Sequence, residues 1–129
     1  MKIGFLGDLV LDRKIQLSSD LIKISNKLDL VLLNLEGVFL ENLKVKPLKT
    51  YGSIVFNNKE FVQKVFDELK VTHVNIYNNH MYDFGRDSLE YTIECLKQLG
   101  INVLSSENYI KSNNENNVIL NSGMAENFG

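Results

Sequence analysis

Short apolar runs that each stop at a polar turn constrain the fold of this sequence most. Residues 2–6, 30–33 and 71–77 are such runs, and the polar residues that follow them are Gly7-Asp8, Asn34-Leu35-Glu36-Gly37 and Asn78-Asn79-His80. The pattern is typical of strands covered on both faces in a parallel sheet. Since the carboxyl ends of parallel strands meet at one edge, four polar side chains are expected to share a crevice there: Asp8, Glu36, Asn79 and His80.

Amphipathic segments alternate with these apolar runs. The spacing predicts a helix that begins at Ser18 or Ser19 and carries an apolar stripe of Leu21, Ile22, Ile24 and Leu28. It predicts further helices over residues 58–70 and 87–99, and another strand over residues 101–104. Strands that alternate with helices pair in parallel through right-handed crossovers. We therefore expect an α/β fold of layered βαβ units with a mostly parallel sheet, rather than a barrel or a bundle.

Polar residues and a glycine mark the predicted ends of the second and third helices. Asn57 is placed to cap the second helix, with Glu60 three residues later. Asp87 and Glu90 have the same spacing at the start of the third helix, and Gly100 is positioned to end it.

Two stretches depart from the alternation of strands and helices. Residues 38–53, which contain the only proline, Pro47, form a long connection, and such connections are often functional or mobile. The asparagine-rich stretch 108–117 has the composition of an exposed loop, and residues 118–120 are consistent with a fifth strand.

Composition excludes several classes of protein. A chain of 129 residues with 14 basic and 16 acidic side chains is expected to form one domain without an electrostatic footprint for nucleic acid or an anionic membrane. No apolar segment approaches the ~20 residues of a membrane helix, and no signal-peptide pattern is present. The single cysteine, Cys95, lies in a predicted helix, which excludes an intrachain disulfide framework. We expect a cytoplasmic protein.

The acidic residues of the first two turns are candidate cation ligands. Asp8 follows Gly7 at the end of the first run, and its carboxylate is a hard oxygen donor for a divalent cation. Glu36 and its neighbouring amide lie just past the second run, where a carboxylate could bridge two cations. Each has a structural alternative: Asp8 as a turn or helix-capping residue, and Glu36 as a solvated loop side chain.

The third turn combines an amide, an imidazole and a carboxylate. Asn79 can ligate a metal through its carbonyl oxygen, His80 can ligate or transfer a proton, and Asp83 could orient the His80 ring through a hydrogen bond. The alternative is that the asparagines supply turn conformations and Asp83 caps the following helix. His73 lies within a predicted strand, which favours a structural role.

These motifs, taken in order, resemble the CapA family of capsule synthesis proteins, which is associated with poly-gamma-glutamate. The resemblance is carried by Gly7-Asp8, by Asn34-Leu35-Glu36-Gly37 and by the segment Asn78-Asn79-His80-Met81-Tyr82-Asp83-Phe84-Gly85. It extends roughly over residues 2–107. The CapA family belongs to the calcineurin-like metallophosphoesterase superfamily.

The resemblance implies a four-layer α/β/β/α metallophosphatase-like fold with a two-cation site at the strand ends. It implies that Asp8 ligates one metal, that Glu36 takes the bridging or second-metal position, and that Asn79 ligates the second metal. His80 would be the acid or phosphoryl-contacting group, supported by Asp83. The mixed oxygen and nitrogen donors would suit manganese, magnesium, iron or zinc, and the substrate would be a phosphate ester or a small molecule related to the capsule polymer.

The chain departs from the family pattern in its second half. The family's remaining ligands come from later histidine motifs, and no histidine follows His80 here. We therefore expect residues 1–129 to be a single truncated domain, the amino-terminal half of the family fold, with little hydrolase activity of its own. Such a half would expose apolar sheet surface and would pair with another copy or with the missing carboxyl-terminal half.

Two other functions compete with a truncated capsule synthesis protein. The first is a non-catalytic α/β binding or assembly module that uses the crevice to bind an anion or a partner chain. The second is a small independent α/β enzyme with a complete site. The number of tightly held metal ions per chain distinguishes them.

Overall fold

The structure is a computed structural model, and it describes residues 1–104. Its elements, in chain order, are β1 (Ile3–Leu9), α1 (Ser19–Ser25), β2 (Leu30–Leu35), β3 (Val38–Phe39), β4 (Phe56–Asn57), α2 (Lys59–Leu69), β5 (His73–Asn75), α3 (Arg86–Gln98) and β6 (Asn102–Leu104). Four strands form the main sheet in the order β1-β2-β5-β6, and every pair is parallel. The predicted α/β fold with a mostly parallel sheet is confirmed.

The strands of the main sheet follow one another in chain order. Right-handed crossovers between neighbouring parallel strands then bring the connecting helices to the same face of the sheet. Accordingly, Val31, Leu33 and Leu35 of β2 belong to one apolar cluster with the buried side chains of α2 and α3. The opposite face carries Phe5, which is 66% exposed. The expectation that both faces of every strand are covered is therefore wrong for β1 within residues 1–104.

The long connection after β2 contains regular structure that the sequence does not predict. β3 and β4 pair in parallel as a separate two-stranded sheet, with Val38 opposite Phe56 and Phe39 opposite Asn57. Phe39 is fully buried, and its backbone N–H donates to the Thr92 hydroxyl of α3 at 2.9 Å. This small sheet fixes the two ends of the connection against the core.

The helix ends agree with the predictions in part. Ser18 caps α1 by accepting from the Leu21 N–H, as predicted. The N-cap of α2 is Asn58 rather than Asn57, because Asn57 belongs to β4 and its amide bonds elsewhere. The predicted pair Asp87 and Glu90 is also wrong: α3 begins after Gly85 and has no side-chain cap.

Gly100 follows α3 with a φ of 74°, the left-handed conformation that ends many helices, as predicted. On α1, however, Ile24 is 62% exposed, and Leu28 lies beyond the end of the helix at Ser25. The predicted four-residue stripe is longer than the two-turn helix that forms. Leu21 and Ile22 do pack on the core.

The strand bounds differ from the predicted ones in a way that matters for the site. β1 and β2 extend to Leu9 and Leu35, so Asp8 and Asn34 are the second-to-last residues of paired strands rather than loop residues. β5 is shorter than predicted. His73 is buried in β5 and Cys95 is buried in α3, both in agreement with their structural interpretation.

Over residues 1–104, no helix has the length and apolar character that crossing a membrane requires. The predicted loop over residues 108–117 and the predicted strand over residues 118–120 lie outside the described residues.

Candidate functional site

The register of the main sheet brings three polar side chains into one row at its carboxyl edge. Asp8 of β1 lies opposite Asn34 of β2, which lies opposite Asn75 of β5. A register shift between Phe5 and Asp8 sets the pairing of Asp8. The Asn34 amide donates to Asp8 Oδ1 at 2.8 Å and accepts from the Asn75 amide at 2.8 Å. Asn34 therefore holds one Asp8 oxygen in place.

Glu36 follows β2 directly and is fixed through its backbone. Its N–H donates to the Leu9 carbonyl at 3.1 Å. Its carbonyl accepts from the Asn57 amide at 2.8 Å, and Asn57 Oδ1 accepts from the Leu11 N–H at 2.8 Å. Asn57 is buried, so these bonds are shielded from water. The Glu36 side chain is thereby held beside the end of β1.

The Glu36 carboxyl and the Asp8 carboxyl interact closely. Partial burial raises the pKa of Glu36 above its usual value, and the negative charge of Asp8 and a side-chain hydrogen bond with Asp8 raise it further. The nearby His80 opposes this shift, and Asp83 adds to it. A carboxylate whose ionisation is disfavoured by a neighbouring carboxylate, as that of Glu36 is by Asp8, is stabilised by a proton or by a bound cation.

His80 lies between two carboxyl groups. Its Nδ1 is 2.6 Å from Asp83 Oδ2, and its Nε2 is 3.5 Å from Glu36 Oε1. The contact that the sequence predicts between Asp83 and His80 is therefore present. A histidine that donates Nδ1–H to a buried carboxylate has a fixed ring orientation, with Nε2 directed at the second partner. In this site that partner is Glu36.

Asn78 links the loop that carries His80 to the end of β2. Its Oδ1 accepts from the N–H groups of His80 and Gly37, at 3.1 and 3.4 Å. Its Nδ2 donates to the Leu35 carbonyl at 2.8 Å. The alternative that Asn78 serves a turn is thus supported, because its side chain bridges two backbone segments and neither amide atom is left for a ligand.

Asp83 organises the other side of His80. It does not cap α3, contrary to one alternative. Its side chain, 2% exposed, accepts from the Val55 N–H at 2.9 Å and lies 3.4 Å from Lys49 Nζ. Its carbonyl accepts from the N–H groups of Leu48 and Lys49 at 2.8 and 3.2 Å. One residue therefore joins the His80 loop to the end of the long connection.

An open cleft of about 570 Å³ lies where these two segments meet. It is lined by Leu48, Lys49, Tyr51, Gly52, Ser53, Asn79, His80, Tyr82 and Asp83. Asn79 is exposed and faces this cleft, whereas Asp8 and Glu36 are not among its lining residues. The structure thus gathers Asp8, Glu36 and His80 at one edge but places Asn79 on the cleft beside them.

The donors at this edge fit a hydrated cation better than a fully enclosed one. Within residues 1–104, no group of three or more His, Cys, Asp or Glu side chains is arranged to hold a metal ion. Asn34 Oδ1 already accepts from Asn75 and Asn78. Asp8 and Glu36 remain as a pair of hard oxygen donors, which suits an ion such as Mg²⁺ that keeps several waters. The two-cation site implied by the resemblance is not complete in this part of the chain.

Sequence reasoning misses three residues that shape the site. Asn57 lies in β4 and Lys49 lies in the long connection before it, and the positions of both depend on the unpredicted β3–β4 pairing. No local pattern marks Lys49, and the pattern around Asn57 predicts only a helix cap. Asn75 is brought to the site by the strand register. An asparagine inside a predicted apolar run is unusual, and this could have indicated a role for Asn75.

Comparison with known families agrees with the motifs. The profile of the bacterial capsule synthesis protein family PGA_cap matches residues 2–124. The chain belongs to this family. A comparison with curated proteins found no match. Membership in the capsule synthesis family covers all three polar turns and confirms the resemblance stated from the sequence.

Proposed function

We propose that this capsule synthesis family protein binds a divalent cation through Asp8 and Glu36 and uses His80 on a phosphate ester bound beside it. The observation that supports the proposal is the meeting of a carboxylate pair and a carboxylate-oriented histidine at one sheet edge. His80 Nε2 is 3.5 Å from Glu36 Oε1, and Glu36 interacts with Asp8. A bound cation and a proton donor side by side can together promote phosphate-ester cleavage.

The residues of this chain have separate roles in that proposal. Asp8, oriented by Asn34, and Glu36, anchored by Asn57, would hold the cation. When bound, the cation would activate water and neutralise charge on the phosphoryl oxygens. Asp83 holds His80 Nδ1 and so fixes the orientation of the imidazole ring. The His80 Nε2–H would pass its proton to the departing ester oxygen as the ester P–O bond breaks, while a water oxygen would form the new P–O bond. The proton that this water releases would restore the His80 Nε2–H.

The proposed cation is one of manganese, magnesium, iron or zinc. The two carboxylates favour magnesium or manganese, because hard oxygen donors suit these ions. We further propose that this chain, residues 1–129, is the amino-terminal half of a metallophosphoesterase-like fold. Further ligands would then come from outside these residues, from a second half or a second copy of the chain, and this chain alone would hydrolyse esters slowly or not at all.

A second function is favoured by one observation. Residues 1–104 contain no cluster of three metal-ligating side chains of the His, Cys, Asp or Glu types. A non-catalytic module that binds an anion or a partner chain needs no such cluster. In that case His80, Asp83 and Lys49 would serve recognition rather than proton transfer.

Isothermal titration calorimetry with Mg²⁺ and Mn²⁺ tests the proposal. We expect the wild type to bind one ion per chain and Glu36→Gln to lose at least about tenfold in affinity, because the neutral amide is a poorer donor for a hard cation. Glu60→Gln, an exposed glutamate on α2, is the matched control and should bind as the wild type does. Equal binding by wild type and Glu36→Gln would contradict the assigned ligand.

A phosphomonoester assay with p-nitrophenyl phosphate separates the two functions. If the protein is catalytic, His80→Ala should retain cation binding and lose turnover by about 10²-fold or more. If the wild type binds the cation and His80→Ala leaves turnover unchanged, proton transfer by His80 is the wrong mechanism. Ligand binding that does not depend on the cation would favour the binding module, whereas absence of turnover by itself is expected of both functions.

A further inference from the structure

The cleft beside His80 contains a positively charged side chain. Lys49 lines it, and the Lys49 side chain is 22% exposed, which leaves its ammonium group accessible to a ligand. Asp83 Oδ1 lies 3.4 Å from Nζ, whereas Asp83 Oδ2 is engaged at 2.6 Å by His80 and at 2.9 Å by Val55. Because an ammonium group has three N–H donors, the Asp83 contact leaves Lys49 with donors for a further acceptor.

The walls of this cleft are joined by hydrogen bonds. Leu48 and Lys49 donate their backbone N–H groups to the Asp83 carbonyl. A side chain at Gly85 would lie 2.7 Å from Leu48 Cδ1, which shows how closely the two segments approach. Gly85 also has a φ of 88°, which strains other residues. The cleft is therefore formed before any ligand binds.

The other polar groups on the cleft suit an oxygen-rich anion. Ser53 and Asn79 are exposed and add hydroxyl and amide donors to the Lys49 ammonium. Tyr82 is exposed at the same cleft. The volume of about 570 Å³ lies within the range of small-molecule sites. Because the accessible charged group is the Lys49 ammonium, the cleft favours an anion, and the donors around this group match a phosphate or a carboxylate.

We propose that this cleft binds an anionic group of the substrate through Lys49, Ser53 and Asn79, next to the ester that His80 would protonate. The inference rests on the proposed function in taking the ligand to be its substrate. It adds that this substrate carries a second oxyanion, a phosphate or a carboxylate, besides the group at Asp8 and Glu36. The Lys49–Asp83 pair then couples recognition to the residue that orients His80.

NMR titration of the metal-free protein with inorganic phosphate, and separately with succinate, tests the cleft without the cation site. We expect saturable shifts at the backbone amides of Ser53 and Asn79, and the tighter of the two probes identifies the oxyanion. Lys49→Met should weaken binding about tenfold or more, because one charged donor is lost. Lys46→Met is the matched control, since Lys46 is exposed in the same connection and does not line the cleft. It should change affinity less than twofold.

Ser53→Asp provides a second variant that leaves the Lys49–Asp83 pair in place. Its added carboxylate should weaken anion binding about tenfold through like-charge repulsion. Unchanged affinity in Ser53→Asp, equal losses in the two lysine variants, or shifts remote from the cleft would each overturn the proposal. Failure of the cation hypothesis has a different signature: Mg²⁺ would not bind, while phosphate or succinate would still bind the metal-free protein in a Lys49-dependent manner.

Discussion

The body of the main sheet and its carboxyl edge differ in how their polar side chains are placed. In the body, the polar side chain of His73 is buried and contacts the Thr72 hydroxyl at 2.8 Å. At the edge, Asp8, Asn34 and Asn75 bond to one another in a row, and His80 lies between two carboxyl groups. Register places both sets, since His73 and Asn75 are two residues apart on the same strand.

The two regions therefore differ in the interactions that stabilise them. The body gains from burial of apolar side chains and tolerates a neutral histidine there. The edge gathers like charges whose mutual repulsion opposes folding unless a proton or a cation neutralises them. Substitutions should therefore act mainly on stability in the body and mainly on ligand binding at the edge.

The largest expected effect is on the body. Leu33→Ala removes a buried side chain of β2 from the core and should lower the free energy of unfolding by about 2–5 kcal/mol. Urea denaturation measures this loss. A loss below about 1 kcal/mol would mean that the middle of β2 is not part of the packed core and would remove the contrast between the two regions.

Asp83→Asn should have the next largest effect because Asp83 belongs to both structure and site. The neutral amide weakens the bonds to His80 and Lys49, and we expect a loss of about 2 kcal/mol. Hydrogen exchange should also become faster at the Val55 N–H, which donates to Asp83. If exchange at Val55 stays as slow as in the wild type, Asp83 does not join the two segments as described.

His73 provides the pH test of the body. Burial lowers the pKa of His73 below 6.5 in the folded protein, so the unfolded chain takes up the proton first as the pH falls. Its contribution to stability is present above pH 6.5 and is lost as the pH falls toward the folded pKa. We expect His73→Gln to show a shallower decline in unfolding free energy over this range. An unchanged slope would contradict the buried neutral imidazole.

Asp8→Asn should have the smallest effect on stability, within about 0.5 kcal/mol, because Asp8 is exposed. It should nevertheless lower the pKa of Glu36 toward 4.5, since the Asp8 charge is removed, while burial keeps part of the rise. Because the pKa of Glu36 is raised in the folded wild type, ionisation of Glu36 lowers the free energy of unfolding of the wild type as the pH rises from 4.5 toward the folded pKa. Carbon-13 NMR of the Glu36 carboxyl follows the titration, and an unshifted midpoint would show that the two carboxyls do not interact.

The sequence predicts the helices and strands that are marked by the spacing of their apolar residues, and the polar turns that follow the strands. The α/β alternation, the Ser18 cap and the gathering of Asp8, Glu36 and His80 at one edge all follow from local patterns and parallel pairing. The Asp83–His80 contact follows from their spacing in one loop.

Tertiary context decides the features that sequence reasoning misses. Asn57 is an equally good helix cap in the sequence, but pairing in β4 directs its amide to Glu36 and leaves the cap to Asn58. Lys49 reaches the site only because the connection turns back onto Asp83. Asn79 is a plausible ligand by type, yet the turn exposes it on the cleft.

Paramagnetic broadening by Mn²⁺ tests most directly whether the carboxyl edge is a cation site. At substoichiometric Mn²⁺, the side-chain carbon signals of Asp8 and Glu36 should broaden first, followed by those of the His80 ring, while His73 in the body keeps sharp signals. Glu36→Gln should abolish this order of broadening. Broadening centred on other carboxylates, or identical in Glu36→Gln, would show that Asp8 and Glu36 are not the cation ligands.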